Sequence, residues 1–256
     1  IYYLTLAEAI THAKAGETIQ LLQGVTLESN AYFKGDESGQ PRTLILDLGG
    51  HTLSGPDYDS MLIQNDENLT VQNGTIRITA EVEAAIWNSG ALELNQVSIA
   101  CAEGVGDMPG LICSSDGTAG LYDTEMLTSF LVCNDDTATI VIHSGTFAAD
   151  PRNGSNIKLA ADSVASTDAA GHFVVAVLGE ETATAKVVSE DATTYHTTLA
   201  DAMKAAKTGD TVQLLKDVTL EKAVETGGKV SGITLDLNGH NIDGTAVTSR
   251  KGVVWM

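Results

Sequence analysis

Basic residues are scarce in this chain. Fourteen Lys and Arg stand against 34 Asp and Glu, a formal net charge of −20. Nucleic acids and anionic lipid surfaces are held by a surplus of Lys and Arg, so charge-driven binding to either is excluded. Aromatic residues make up only 5% of the 256 residues, so the core has to be built from small and branched aliphatics. No apolar run approaches the roughly 18–20 residues of a membrane span, and no membrane insertion is expected. The only cysteines are Cys101, Cys113 and Cys133. They allow at most one internal disulfide, fit no zinc spacing and are read as small core residues. The redox compartment stays open. The chain begins at Ile1 without Met or a charged–apolar leader. It reads as a processed or excised piece whose export signals and anchors lie outside it.

Catalytic spacings are missing as well. His12, His51, His143, His172, His196 and His240 form no HxH or HExxH pattern. No GxSxG elbow occurs. Gly49-Gly50 and Gly227-Gly228 are isolated pairs rather than a phosphate-binding loop. No EF-hand or glycine–aspartate nonapeptide spacing appears. No cofactor is expected, beyond weak Ca²⁺ binding at Asp-rich turns. Asn68, Asn73 and Asn153 open glycosylation sequons by pattern, which a chain rich in Asn, Gly and Thr produces by chance.

Repetition is what the chain has in abundance, at two levels. TLAEAITHAKAGETIQLLQGVTLE (5–28) returns without a gap as TLADAMKAAKTGDTVQLLKDVTLE (198–221). LILDLGGHTLSG (44–55) returns as ITLDLNGHNIDG (233–244), and the second copy then stops after twelve more residues. Inside the first copy a shorter unit recurs. LDLGGHTL at Leu46–Leu53, LTVQNGTI at Leu69–Ile76 and LELNQVSI at Leu92–Ile99 follow at steps of 23 residues. IVIHSGTF at Ile140–Phe147 comes two steps later, with a degraded rung expected near 111–122. Ile63-Gln64-Asn65 returns as Ile86-Trp87-Asn88 with the same period.

A unit of about 23 residues is too short to bury its own apolar face, but stacked coils bury theirs against one another. The reading is an all-β solenoid, a right-handed parallel β-helix with an N-terminal capping helix and the start of a second copy. Leu46, Leu69, Leu92 and Ile140 are expected in one inward column, and Leu48, Val71, Leu94 and Ile142 in the next. Asp47, Thr70, Glu93 and Val141 then point outward. Thr5 and Glu8 form a capping box, and Leu6, Ala9, Ile10 and Ala13 an apolar stripe, so a helix over 6–15 is expected to cover the open end of the coil. Thr198 and Asp201 start the same cap in the second copy. Residues 156–170 read as a short helix, and Phe173–Leu178 with Ala185–Val188 as a strand pair. The division is a first module over 1–178, a linker over 179–197, and the cap and first rung of a truncated second module over 198–256.

The helix–Gly–(E/D)T–(I/V)QLL–(D/G)VTLE block, the LDLxGHxLxG turn and the xGTF rung resemble right-handed, pectate-lyase-like parallel β-helix modules. Such modules occur in large secreted or wall-anchored surface proteins of Gram-positive, often gut-dwelling, bacteria. The segment SGTFAADP…LAADSVAS…GHFVV is similar to their closing segment. The resemblance covers nearly all of residues 1–244. It implies adhesion, carbohydrate binding or host-protein binding, although parallel β-helices also host polysaccharide lyases and hydrolases.

The enzyme chemistry such a fold implies can be tested against the residues. A lyase needs clustered carboxylates and an Arg base. Arg42, Arg77, Arg152 and Arg250 are the arginines, and Arg77 sits at a rung edge with no acidic column in its frame. A hydrolase of the polygalacturonase kind needs ordered Asp and His fragments. Gly50-His51, Arg77-Ile78-Thr79 and Asn134-Asp135-Asp136 run in the wrong order. His51 recurs as His240 beside a glycine corner and is read as structural, Asp135 and Asp136 as a solvated corner, and His143 as a corner residue. Asp47 and Glu93, two rungs apart, are expected about 9.6 Å from one another, slightly beyond the inverting range.

Trp87 departs from the pattern. Its neighbour Ile86 points inward, so Trp87 points outward, where a large aromatic stacks on a sugar ring or anchors a protein. The competing expectation is that the 101–122 excursion folds back and covers it. Tyr122, Asp116 and Asp123 in or beside that excursion are the other candidate ligand-binding residues. No catalytic or metal-binding residue is assigned. The leading reading is a non-enzymatic extracellular binding or adhesion module, secreted or wall-attached, for a host glycan or host glycoprotein. An immunoglobulin is among the candidate partners, and neighbouring repeat modules of the same polypeptide adjoin it. A polysaccharide lyase or glycoside hydrolase is the alternative, and a structural stalk the third.

Overall fold

Alternating side chains along the repeats build three parallel sheets wound into coils. A computed structural model describes residues 1–35, 39–55, 61–127, 129–226, 230–248 and 252–255. Arg250 and the Gly227-Gly228 pair lie outside the described residues. The chain divides into two units, Ile1–Ala176 and Val177–Met256. Rungs about 23 residues apart make it an all-β parallel solenoid.

In the first unit, face one stacks strands Thr18–Gln20, Thr43–Asp47, the first half of Asn68–Ile78, the first half of Ala91–Cys101, Thr118–Tyr122, Thr139–Ile142 and Ile157–Leu159. Face two stacks Val25–Thr26, Thr52–Ser54, the second halves of the two long strands, Thr124–Met126 and Gly145–Phe147. Face three stacks Ala31–Phe33, Met61–Asn65, Ala84–Asn88, Met108–Cys113 and Ser129–Cys133. The degraded rung expected near 111–122 is thus formed by Met108–Cys113 and Thr118–Tyr122.

All eight predicted column residues are buried, but the register of the first rung differs from the expectation. Leu44 stands opposite Leu69, and Leu46 opposite Val71. The columns run Leu44–Leu69–Leu92–Ala119–Ile140 and Ile19–Leu46–Val71–Leu94–Leu121–Ile142. Farther along, Leu53 does stand opposite Ile76, as the 23-residue step requires. The difference lies in the corner between them. Leu48, Gly49, Gly50 and His51 separate Asp47 from Thr52, whereas only Asn73 and Gly74 separate their partners Gln72 and Thr75. Gly49 takes φ 59° with its Cβ position 2.7 Å from the Leu21 carbonyl oxygen, so a side chain is barred there. Leu48 drops into the widened corner against Gly74, whose own Cβ would lie 2.5 Å from Leu48 Cβ.

The N-terminal helix is shorter than 6–15 and spans Leu6–His12. Thr5 Oγ1 accepts from the Glu8 N–H, and Leu6, Ala9 and Ile10 join the core of the coil. Arg42 ties the helix down. Its guanidinium donates to the carbonyls of Ile10 and Ala13 at 3.2 and 2.8 Å, and pairs with Glu67 at 2.6 Å. The Glu67 side chain is 0% exposed.

At the other end of this unit the expected helix over 156–170 is absent. Those residues form strands Ile157–Leu159 and Ser163–Thr167. Ile157 and Leu159 continue the inward columns beside Ile140 and Ile142, and that ladder outweighs the local helical pattern. Phe173–Val177 runs antiparallel to Gly145–Phe147 and does not pair with Ala185–Val188.

In the second unit, Ala185–Val188 pairs antiparallel with both Thr193–His196 and Thr211–Leu214. Residues 179–197, read as the join between the copies, contribute two of these strands. Helix Leu199–Ala205 is capped by Thr198 and buries Leu199, Ala202 and Met203. The sequence repeat is a register repeat. Ile19 opposite Leu46 becomes Val212 opposite Leu235, and Val25 opposite Leu53 becomes Val218 opposite Ile242.

Candidate binding face

Trp87 sits on the outer side of face three. Its column on that side runs Tyr32, Gln64, Trp87, Ile112, Val132, of which Ile112 is buried. The 101–122 segment does not fold back over it. Instead that segment makes the next rung, and Ile112 takes the ladder place beside Trp87, which stays half-exposed. Tyr32 is 39% exposed and Phe130, on the last strand of this face, 47%. Tyr32 and Trp87 are two rungs apart, roughly 10 Å by strand spacing.

The inner side of the same strands holds this surface rigid. Asn65 and Asn88 stack in one buried column, and Asn65 Nδ2 donates to Asn88 Oδ1 at 2.7 Å. Asn88 Nδ2 donates in turn to the carbonyl of Thr118 at 3.1 Å. Each amide answers backbone groups at a corner and passes a hydrogen bond to the next coil. Cys113 continues this column, and burial pushes its thiol up to about 12. Cys133 follows, its thiol also raised by burial. Cys101, Cys113 and Cys133 form no disulfide with one another. Outside, the Tyr32 hydroxyl donates to Asp66 Oδ2 at 2.6 Å, which fixes the ring and raises the phenol pKa. The Lys34 ammonium lies 6.0 Å from the Tyr32 ring centroid.

The other candidates are elsewhere. Tyr122 is on face one, stacked on His143. Asp116 and Asp123 occupy the corners on either side of the Thr118–Tyr122 strand, both exposed, with φ 65° and 48°. The Asp116 N–H donates to Thr137 Oγ1 at 3.1 Å, and the Asp123 N–H to Ser144 Oγ at 2.8 Å. Left-handed backbone at a corner suits aspartate, and these two serve the turns. The structure does not bring Trp87 together with Tyr122, Asp116 and Asp123. Tyr32 and Phe130 were missed from sequence. Tyr32 shares the Ile63-Gln64-Asn65 frame, but a longer loop separates the two and breaks the 23-residue step. Phe130 is displaced by a register shift between Pro109 and Leu111.

Asp47 and Glu93 do not share a column. Asp47 is aligned with Gln72 and Asn95, whereas Glu93 is aligned with Ile45 and Thr70 one column away. The expected Asp47–Glu93 column is therefore not formed, and Asp47 Oδ1 accepts from the Gly49 N–H at 2.8 Å. Asp135 serves its corner. It accepts from the backbone N–H groups of Ser115, Thr137 and Ala138, which hold its carboxyl down at about 2. Arg42 is consumed by Glu67, and Arg152 by Asp150. Among the described residues no group of three His, Cys, Asp or Glu is placed to hold a metal ion. No helix among them is long and apolar enough to cross a membrane. Comparison with protein-family models, curated proteins and solved structures finds no match to this chain.

Proposed function

We propose that this chain is a non-enzymatic extracellular binding module, of the kind found in secreted or wall-anchored surface proteins of Gram-positive gut bacteria. Its ligand is a glycan or a glycan-bearing host protein. The observation that carries this reading is the Tyr32–Gln64–Trp87 column on the outer side of the sheet, with Tyr32 exposed, Gln64 and Trp87 half-buried, and no aligned pair of acids in it. Flat aromatic rings present apolar area to the C–H faces of sugars while their polar edges hydrogen-bond hydroxyls. A spacing of roughly 10 Å across the stacked strands suits alternate units of an extended chain. A rigid platform also keeps the entropic cost of binding low.

The test is an array of glycans and host glycoproteins, immunoglobulins included, probed with the wild-type chain and with Trp87→Ala. Binding to a defined glycan set that falls at least about tenfold with Trp87→Ala, about 1.4 kcal/mol, supports the reading. Retention of every hit by Trp87→Ala overturns it. Turnover of a polysaccharide by the wild-type chain would put a lyase or hydrolase in its place.

A further inference from the structure

The two cap helices are copies of one another, but the sheet beside the second has one strand more. There Ala185–Val188 lies antiparallel between Thr193–His196 and Thr211–Leu214. Thr211–Leu214 is Thr18–Leu21 of the first copy moved on by 193 residues, and Tyr195 is Tyr2 by the same step. Thr5 and Thr198 enter their helices with nearly the same backbone, φ −130° and −134°, ψ 154° and 151°. Ile1–Leu4 and Thr193–His196 thus approach their helices alike. Yet among the described residues Thr18–Gln20 pairs only with Thr43–Asp47, and Ile1–Leu4 joins no strand.

Burial follows this difference. The Leu215 N–H donates to the Thr184 carbonyl at 3.0 Å. Its counterpart Leu22 is 66% exposed, and the Leu22 N–H meets no acceptor among the described residues. Tyr195 is half-buried, whereas Tyr2 is 88% exposed. Ala206, the C-cap of the second helix, is buried, whereas Ala13, the C-cap of the first, is half-buried. An open strand edge is a template for another strand.

The second unit also says what kind of strand fits. Ala185 and Val187 are buried, in register with Leu214 and Val212, whose counterparts are Leu21 and Ile19. Lys186 stands between Gln213 and Tyr195, and the same residue types recur as Gln20 and Tyr2. A second copy of this chain has no such strand to spare, because its own Ala185–Val188 is paired on both edges.

We propose that the open edge between Ile1–Tyr3 and Thr18–Leu22 is a docking slot for one antiparallel strand from the closing segment of a neighbouring repeat module. That strand carries a small apolar residue, Lys and Val in the places of Ala185, Lys186 and Val187. It joins module to module by β-augmentation, and the Leu22 N–H donates to it as Leu215 does to Thr184. The slot is independent of the Tyr32–Trp87 column.

The test is amide hydrogen exchange on the full chain and on a fusion in which an added copy of residues 177–193 precedes Ile1. The fusion puts Thr193 just ahead of Ile1, as the repeat aligns them, and makes docking intramolecular. In the unfused chain Leu22 is expected to exchange freely while Leu215 is protected. In the fusion Leu22 exchange is expected to slow at least about tenfold. A second fusion carries Ala185→Asp and Val187→Asp in the added copy only, which keeps the tether and spoils the strand. There Leu22 is expected to exchange as in the unfused chain. Unchanged Leu22 exchange in the first fusion, or equal protection by both fusions, overturns the proposal. Leu22 protection already present in the unfused chain and lost on dilution would put a second copy on the edge and overturn the assignment to a closing strand.

Discussion

Glu67 shows how much one buried charge depends on its partner. Arg42 reaches it from the preceding coil and at the same time holds the last carbonyls of the N-terminal helix. Removing either partner leaves the other buried and unpaired, which costs about 3–5 kcal/mol. Glu67→Gln is therefore expected to lower the urea midpoint strongly, and the double variant Arg42→Met/Glu67→Leu to recover part of the loss. Equal midpoints for wild type and Glu67→Gln would remove the tie from the account. Asp135 predicts a pH effect. Its carboxyl titrates at about 2 in the folded chain, below the ordinary value near 3.8, because backbone N–H groups favour the anion. The corner's contribution is thus complete above the unfolded pKa and drains as pH falls toward the folded one. Asp135→Asn is expected to flatten thermal stability between about pH 4 and 2 relative to wild type. Little of this was legible in the sequence. Arg42 reads as one of a few scattered arginines, and only folding puts it beside Glu67. Trp87, by contrast, was legible, because its neighbour Ile86 sits in a repeated frame that fixes which side each residue faces.

At the scale of elements, the strands were legible and the corners were not. Period-two alternation marks Leu44, Leu46, Leu48, Leu69 and Val71 as inward wherever the register falls. The register itself depends on whether a corner holds two residues or four, and a constant 23-residue frame hid the two extra residues around Gly49. The segment 156–170 misled for a related reason. Its apolar spacing suits a helix, yet Ile157 and Leu159 complete columns begun by residues far away. The corner geometry makes a sharp prediction. Gly74→Ala would place a methyl 2.5 Å from Leu48 Cβ and 2.6 Å from the His51 carbonyl oxygen. Overpacking of this kind costs about 1–3 kcal/mol. Gly74→Ala is expected to lower the melting temperature, with no recovery in Leu48→Ala/Gly74→Ala, since alanine keeps the Cβ that the new methyl meets. An unchanged melting temperature for Gly74→Ala would show that the corner is looser than described.

For the whole molecule, the repeated register in the two units says that one sequence module encodes one way of starting a coil: cap helix, short strand, corner, second strand. Such a solenoid gives long flat sides, and what distinguishes one side from another is the outward columns. Face three of the first unit presents aromatics, face one a carboxylate beside a ring stack, and neither presents an aligned pair of acids. Trp87 and Trp255 are the tryptophans, so Trp255→Phe makes Trp87 the reporter of face three. The most direct test of the account is acrylamide quenching of Trp87 fluorescence in Trp255→Phe, with and without a glycan selected on the array. The account predicts that bound glycan shields Trp87 and lowers the quenching constant in step with occupancy. Full occupancy by the glycan with quenching of Trp87 unchanged would contradict it.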